Sequence, residues 1–128
     1  MTPIFLSLAE VLEIHRDQIE RYGGGKGLRD IGLLQSALAM PAAKYGGRYL
    51  QSDLYEMAAA YLFHIAQNHP FVDGNKRTGA VAAIVFLSLN GIELEADEAQ
   101  LEKLVLDVAQ GKVGKNSVAE FFRNNAGS

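Results

Sequence analysis

The chain has 128 residues, a net charge of −3 and no cysteine. That length suits one domain, residues 1–128, with a core large enough to need no covalent staple. The missing cysteines exclude a disulfide framework and a cysteine metal site, the acidic balance argues against a general nucleic-acid binder, and the longest apolar run, Ala80–Leu89, is about half a membrane span.

The opening stretch MTPIFLSLAE lacks the cationic start of an export signal, so a cytoplasmic domain with no membrane partner is expected. Ser7 and Glu10 have capping-box spacing, and Leu8, Leu12, His15 and Ile19 then recur about once per helical turn. This first helix stops at YGGGKG. Asp30 caps a second helix, IGLLQSALAM, which ends before Pro41. A polar, glycine-containing connection, AAKYGGRYLQ, follows. Asp53 caps a third helix with Leu54, Ala58, Tyr61, Leu62 and Ile65 on one face. Pro70 and Gly74 interrupt the pattern, which makes 69–74 a loop. A fourth helix runs from Asn75 to about Leu89, is apolar nearly all round, and is expected to be the central buried one. Residues 97–110 form a fifth helix, and Ser117 with Glu120 caps a short sixth. Only GIELEAD suits a short extended piece. The fold class is therefore all-α: a compact single-domain bundle of about six helices.

The segment HPFVDGNKRTG, His69 to Gly79, raises a question of charge. A helix N-terminus carries a partial positive charge, so cations in its first turn are misplaced by roughly 0.3–1 kcal/mol each, yet Lys76 and Arg77 stand there side by side. An anion at the helix start removes the penalty. First-turn N–H groups point outward without partners and favour negative charge, and Gly74 allows close approach. Arg77 offers a planar fork to a phosphate and Lys76 a point charge. The competing reading is a solvated cation pair with Asp73 as its partner. Asp73 suits a Mg²⁺ ion, which takes one or two carboxylates together with phosphate oxygens; it equally suits a plain N-cap. His69, on a loop beside such a site, suits a general base, imidazole being the side chain that exchanges protons near neutral pH; alternatively it only hydrogen-bonds the loop. Asn75 either caps the helix or turns its amide to phosphate or metal. Phe71 anchors the loop in the core. His15 and His64 lie within helical patterns and receive no role. Gly23–Gly27 lacks the spacing of a phosphate-binding P-loop and follows a helix, so it reads as a helix stop and loop.

The same segment resembles the signature of the Fic/Doc (Fido) family, His-Pro-Phe-x-Asp/Glu-Gly-Asn-Gly/Lys-Arg, and meets each fixed position: His69, Pro70, Phe71, Asp73, Gly74, Asn75 and Arg77. RYGG, GLRDIGLLQSAL and the short chain look like its death-on-curing (Doc) branch, so the likeness spans nearly the whole sequence. The resemblance implies a compact helical fold and nucleotide-dependent modification of protein hydroxyls. It assigns His69 as the base and Asp73 as the Mg²⁺ ligand. It further implies that Gly74, Asn75 and Lys76 present N–H groups to the phosphates of ATP and that Arg77 binds a terminal phosphate. Most members transfer AMP and have Gly where this chain has Lys76. Lys belongs to the Doc branch, for which the implied reaction is transfer of the γ-phosphate, with elongation factor Tu as target and arrest of translation as outcome. Adenylyl transfer is the first alternative, and a non-catalytic helical binding module is the alternative of another class. The family also implies a target-holding flap before the motif, where AKYGGRYLQSD stands. No inhibitory Ser/Thr-x-x-x-Glu-Gly/Asn pattern occurs in the sequence. Restraint is therefore expected from a separate antitoxin whose tail covers the site.

Overall fold

A computed structural model of the chain describes residues 2–127. Its elements follow in the order α1 (Leu8–Tyr22), α2 (Ile31–Ala39), β1 (Lys44–Tyr45), β2 (Arg48–Tyr49), α3 (Leu54–Asn68), α4 (Asn75–Leu89), α5 (Glu98–Ala109) and α6 (Lys115–Asn124). Three of the expected caps form as their side-chain chemistry dictates. Ser7 and Glu10 make a reciprocal capping box, Asp30 accepts from the Leu33 N–H, and Asp53 from the Glu56 N–H.

Helix α3 is the most enclosed element, packing against α2, α4, α5 and α6. Its small side chains, Ala58, Ala59, Ala60 and Ala66, are fully buried and let neighbours approach from several sides. Helix α4 lies against α1, α3 and α5. It buries Ala82, Ala83, Phe86 and Leu87 in the core and leaves Ala80, Val81 and Ile84 half-buried along a cleft. Gly79 permits the α3–α4 contact: a Cβ there would stand 3.1 Å from the Leu62 carbonyl oxygen. The first helix is tied down at its entry, where the Leu6 N–H donates to the buried Tyr61 hydroxyl at 2.9 Å.

Two local expectations are revised. The connection after α2 is an antiparallel hairpin pairing Lys44 with Tyr49 and Tyr45 with Arg48. Gly46 and Gly47 both have positive φ, 59° and 79°, the backbone that a two-residue hairpin turn requires. Helix α6 begins at Lys115, with Gly114 as N-cap and no side-chain cap, so Ser117 lies inside the helix and its pairing with Glu120 is not a cap. The earlier start brings Val118, Ala119 and Phe122 onto one buried face. The extended piece expected in GIELEAD is present as a bridge from Leu94 to Ala126.

The early start of α6 also sets Lys115 Nζ 3.1 Å from His64 Nε2 on α3. An ammonium only donates, so this imidazole accepts and is neutral. Burial, with the Lys115 charge added, pushes its pKa down to about 4, whereas an unfolded chain titrates near ~6.5. The unfolded state therefore binds the proton more tightly. The stability from this pair is complete above about pH 6.5 and lost as pH falls from there towards the folded value. Lys115→Met should raise the His64 pKa, read by NMR titration of the ring, and make the fold less sensitive to acid. A ring still titrating at the wild-type value would assign the whole shift to burial.

Candidate active site

The site is assembled where the end of α3, the loop 69–74 and the start of α4 meet the C-terminal end of α1. His69 is the C-cap of α3 and lies in the left-handed region, φ 49°, ψ 54°, the one non-glycine residue with positive φ among those described. Such a conformation costs about 1–3 kcal/mol and persists only where the surroundings impose it. They do so here. The Pro70 carbonyl accepts from both the Arg29 and Asp30 N–H groups at 2.7 and 3.0 Å, and the Arg29 side chain holds the His69 carbonyl at 2.7 Å. The His69 side chain is exposed, and its Nδ1 faces the Asn75 amide nitrogen at 3.3 Å, a long contact that orients the ring without fixing it.

Asn75 does not cap the helix with its side chain. It is buried, its Oδ1 accepts from the Phe71 N–H at 2.9 Å, and its Nδ2 donates to the Phe71 carbonyl at 3.0 Å. The amide closes the loop on itself, and the Asn75 main-chain N–H has no acceptor within the helix. Phe71 anchors the loop as expected, with 1% of its surface exposed. Its ring stacks on His15 at 3.8 Å and 5° between planes, and His15 Nε2 donates to the Asp73 carbonyl at 2.8 Å. His15, without a role in the sequence reading, therefore supports the loop from beneath. Its place in the apolar stripe of α1 was the available signal, because a buried imidazole needs a polar partner.

Asp73 is not an N-cap. The N-cap of α4 is Gly74, φ 76°, and it carries no side-chain capping bond. The Asp73 carboxylate instead accepts from the Gly25 N–H at 3.1 Å and from the Gly74 N–H at 2.9 Å. Those two donors, helped by the Arg77 and His15 charges, hold its carboxyl below the usual range, so it is ionised at neutral pH. The Gly23–Gly27 stretch is thus a stop and loop, as read, and also one wall of the site. A Cβ on Gly24 would lie 2.8 Å from Asp73 Oδ2, so a side chain there would push the carboxylate aside.

The first intrahelical bond of α4 runs from the Thr78 N–H to the Gly74 carbonyl. The N–H groups of Asn75, Lys76 and Arg77 have no acceptor within the helix, while that of Gly74 is engaged by Asp73. The expectation for Gly74 thus narrows to its left-handed turn and its lack of a side chain. Arg77 reaches back to α1, where Nη2 donates to the Gly23 carbonyl at 2.8 Å and the guanidinium lies 5.4 Å from the centre of the Tyr22 ring. Its Nε is buried with no partner, a loss worth about 1–3 kcal/mol unless an acceptor arrives. Lys76 is exposed. Neither cation joins an ion pair among the described residues, so the solvated pair with Asp73 is not formed.

A cleft of about 500 Å³ runs from Lys76 and Arg77 between α1, α4 and α5, floored by Ala80, Ile84, Leu101 and Val105 and edged by Glu98 and Glu102. Among the described residues no helix is long and apolar enough to cross a membrane, and no group of three or more His, Cys, Asp or Glu could hold a metal ion unaided.

The fold thus brings together an open helix start, a buried unpaired guanidine nitrogen, an ionised carboxylate and an exposed histidine on a fixed loop, which together make a candidate active site. A model of the Fic/DOC family matches residues 5–87. The chain is 34% identical over 123 residues to the protein kinase Doc of Escherichia phage P1, covering 96% of each chain. It is 42% identical over 100 residues to the toxin Doc of Mycolicibacterium smegmatis, covering 77% of each. The chain belongs to the Fic/DOC family, and its curated relatives place it on the Doc toxin branch.

Proposed function

We propose that this chain is the toxin of a toxin–antitoxin pair and transfers the γ-phosphate of ATP to a hydroxyl of a protein target, elongation factor Tu, thereby arresting translation. The observation that carries the reading is the start of α4: three N–H groups without intrahelical acceptors, beside an Arg77 whose Nε is buried and unpaired. A triphosphate supplies oxygens to all of them. In the transfer the target oxygen bonds to the γ-phosphorus, the bridging oxygen leaves with ADP, and His69 takes the hydroxyl proton.

Asp73 would hold Mg²⁺. It is ionised and exposed, and each of its oxygens keeps lone-pair capacity beyond the one N–H it accepts; a single carboxylate is ordinary for an ion that takes its other ligands from phosphate and water. Bound there, the ion would neutralise phosphate charge. The hairpin β1–β2, with Tyr45 and Arg48 exposed, stands where the target-holding flap is expected and offers main-chain groups to an extended segment of the target. The cleft beside Arg77 suits the antitoxin tail: its apolar floor takes the apolar face of an amphipathic helix, and Glu98 and Glu102 attract basic residues on that helix. A helix seated there would cover Arg77.

Incubation of the chain with Mg²⁺ and ATP labelled separately at the α and γ positions tests the reading. Label from the γ position on elongation factor Tu is expected. Label from the α position means adenylyl transfer, and transfer from neither, with His69→Ala equally toxic in cells, means a binding module. Lys76 bears on the same choice. Its exposed ammonium stands at the helix start and adds positive charge at one phosphate subsite. Lys76→Gly should move label from the γ towards the α position; γ transfer at the wild-type rate would remove Lys76 from the control of nucleotide orientation.

A further inference from the structure

Arg29 lies outside the motif, 40 residues from His69 in sequence, on an exposed turn. Its guanidinium makes no ion pair among the described residues. Nε donates to the His69 carbonyl at 2.7 Å and Nη2 to the Asn68 carbonyl at 3.1 Å. The Arg29 main chain grips the next residue, its N–H donating to the Pro70 carbonyl at 2.7 Å. Around it Leu28 pairs with Phe71, and the Val72 N–H donates to the Gly27 carbonyl at 3.1 Å. A cation at a helix C-terminus is favourable by itself, but the fork is spent on the two carbonyls on either side of the Cα of His69, the one left-handed non-glycine residue among those described. The His69 carbonyl belongs to the peptide plane joining His69 to Pro70. Holding that plane fixes ψ at His69, and with it the direction in which the side chain leaves the backbone.

We propose that Arg29 is a positioning residue for the transfer: it clamps the end of α3 so that the imidazole of His69 is aimed at the attacking hydroxyl. The proposal rests on His69 being the base. A misplacement of about 1 Å can cost on the order of 100-fold in rate, while ATP, bound through α4, should not sense the change.

The test measures initial rates of γ-label incorporation into protein in a bacterial lysate over a range of ATP concentrations, for wild type, Arg29→Ala, Arg29→Lys and His69→Ala. Arg29→Ala should lower the maximal rate about 10- to 100-fold, with the apparent KM for ATP within about twofold. Arg29→Lys keeps the charge and one donor, and should recover part of the rate at an unchanged Tm. A wild-type maximal rate in Arg29→Ala, or a fall in rate, KM and Tm together, overturns the clamp. If Arg29→Ala does not fold, Arg29→Lys decides: a lower rate at wild-type Tm supports the clamp, and an unchanged rate overturns it. His69→Ala separates the layers. If it is inactive while Arg29→Ala is not impaired, only the clamp fails; if it keeps its activity, the base assignment fails first.

Discussion

His69→Ala should lower phosphoryl transfer by about 100- to 10,000-fold, the usual contribution of a positioned general base, while the protein stays folded and keeps its affinity for ATP. The asymmetry follows from how the residue is held. What fixes the loop is main chain and neighbours: the Pro70 carbonyl bound by two N–H groups, the His69 carbonyl bound by Arg29, and Phe71 buried on His15. The imidazole is exposed and makes only the long contact to Asn75. Alanine tolerates the left-handed backbone less well than histidine, so a small drop in Tm is expected. Rates, Tm and ATP affinity measured on one preparation check the prediction. A drop in Tm large enough to account for the lost rate would make His69 a structural residue.

Asp73→Asn should weaken binding of ATP with Mg²⁺ by at least about tenfold, as expected when a hard cation loses its one charged protein ligand. Binding of ATP without the ion should change far less. The substitution keeps one acceptor oxygen for either the Gly25 or the Gly74 N–H and loses the other bond along with the charge; the loop remains held by Phe71, Asn75 and His15. The lowered carboxyl pKa adds a pH signature: affinity that depends on ionised Asp73 should persist to lower pH than an unperturbed aspartate would allow, and fall as the carboxyl protonates. Titration calorimetry with and without Mg²⁺ gives both numbers. Equal weakening in the two conditions would show that Asp73 serves the loop and not an ion.

What the sequence made legible is local. Capping residues announce themselves by side-chain type and spacing, and Ser7, Asp30 and Asp53 are found bonded where they were placed. The loop-to-helix switch at Gly74 was readable because Pro and Gly punctuate the backbone whatever surrounds them. The start of α6 was misread because its cap is a glycine, which carries no side-chain signal, while Ser117 and Glu120 mimic one. At the site, the motif supplied the residues proposed to meet a ligand. It could not supply those that hold the motif still: His15, Gly25 and Arg29 reach it from 58, 48 and 40 residues away. Periodicity and capping rules carry no information about such contacts, which exist only once α1 and the turn after it have folded back onto the loop. The same limit explains the side chain of Asn75, whose two bonds to Phe71 follow from a loop geometry that spacing does not encode.

The account's central claim is that a triphosphate belongs at the opening of α4, and calorimetric titration of ATP into the antitoxin-free chain in millimolar Mg²⁺ tests it most directly. Saturable one-to-one binding is expected, weakened by Arg77→Ala and by Asp73→Asn. Absence of binding at millimolar nucleotide, or binding that neither substitution alters, would contradict it.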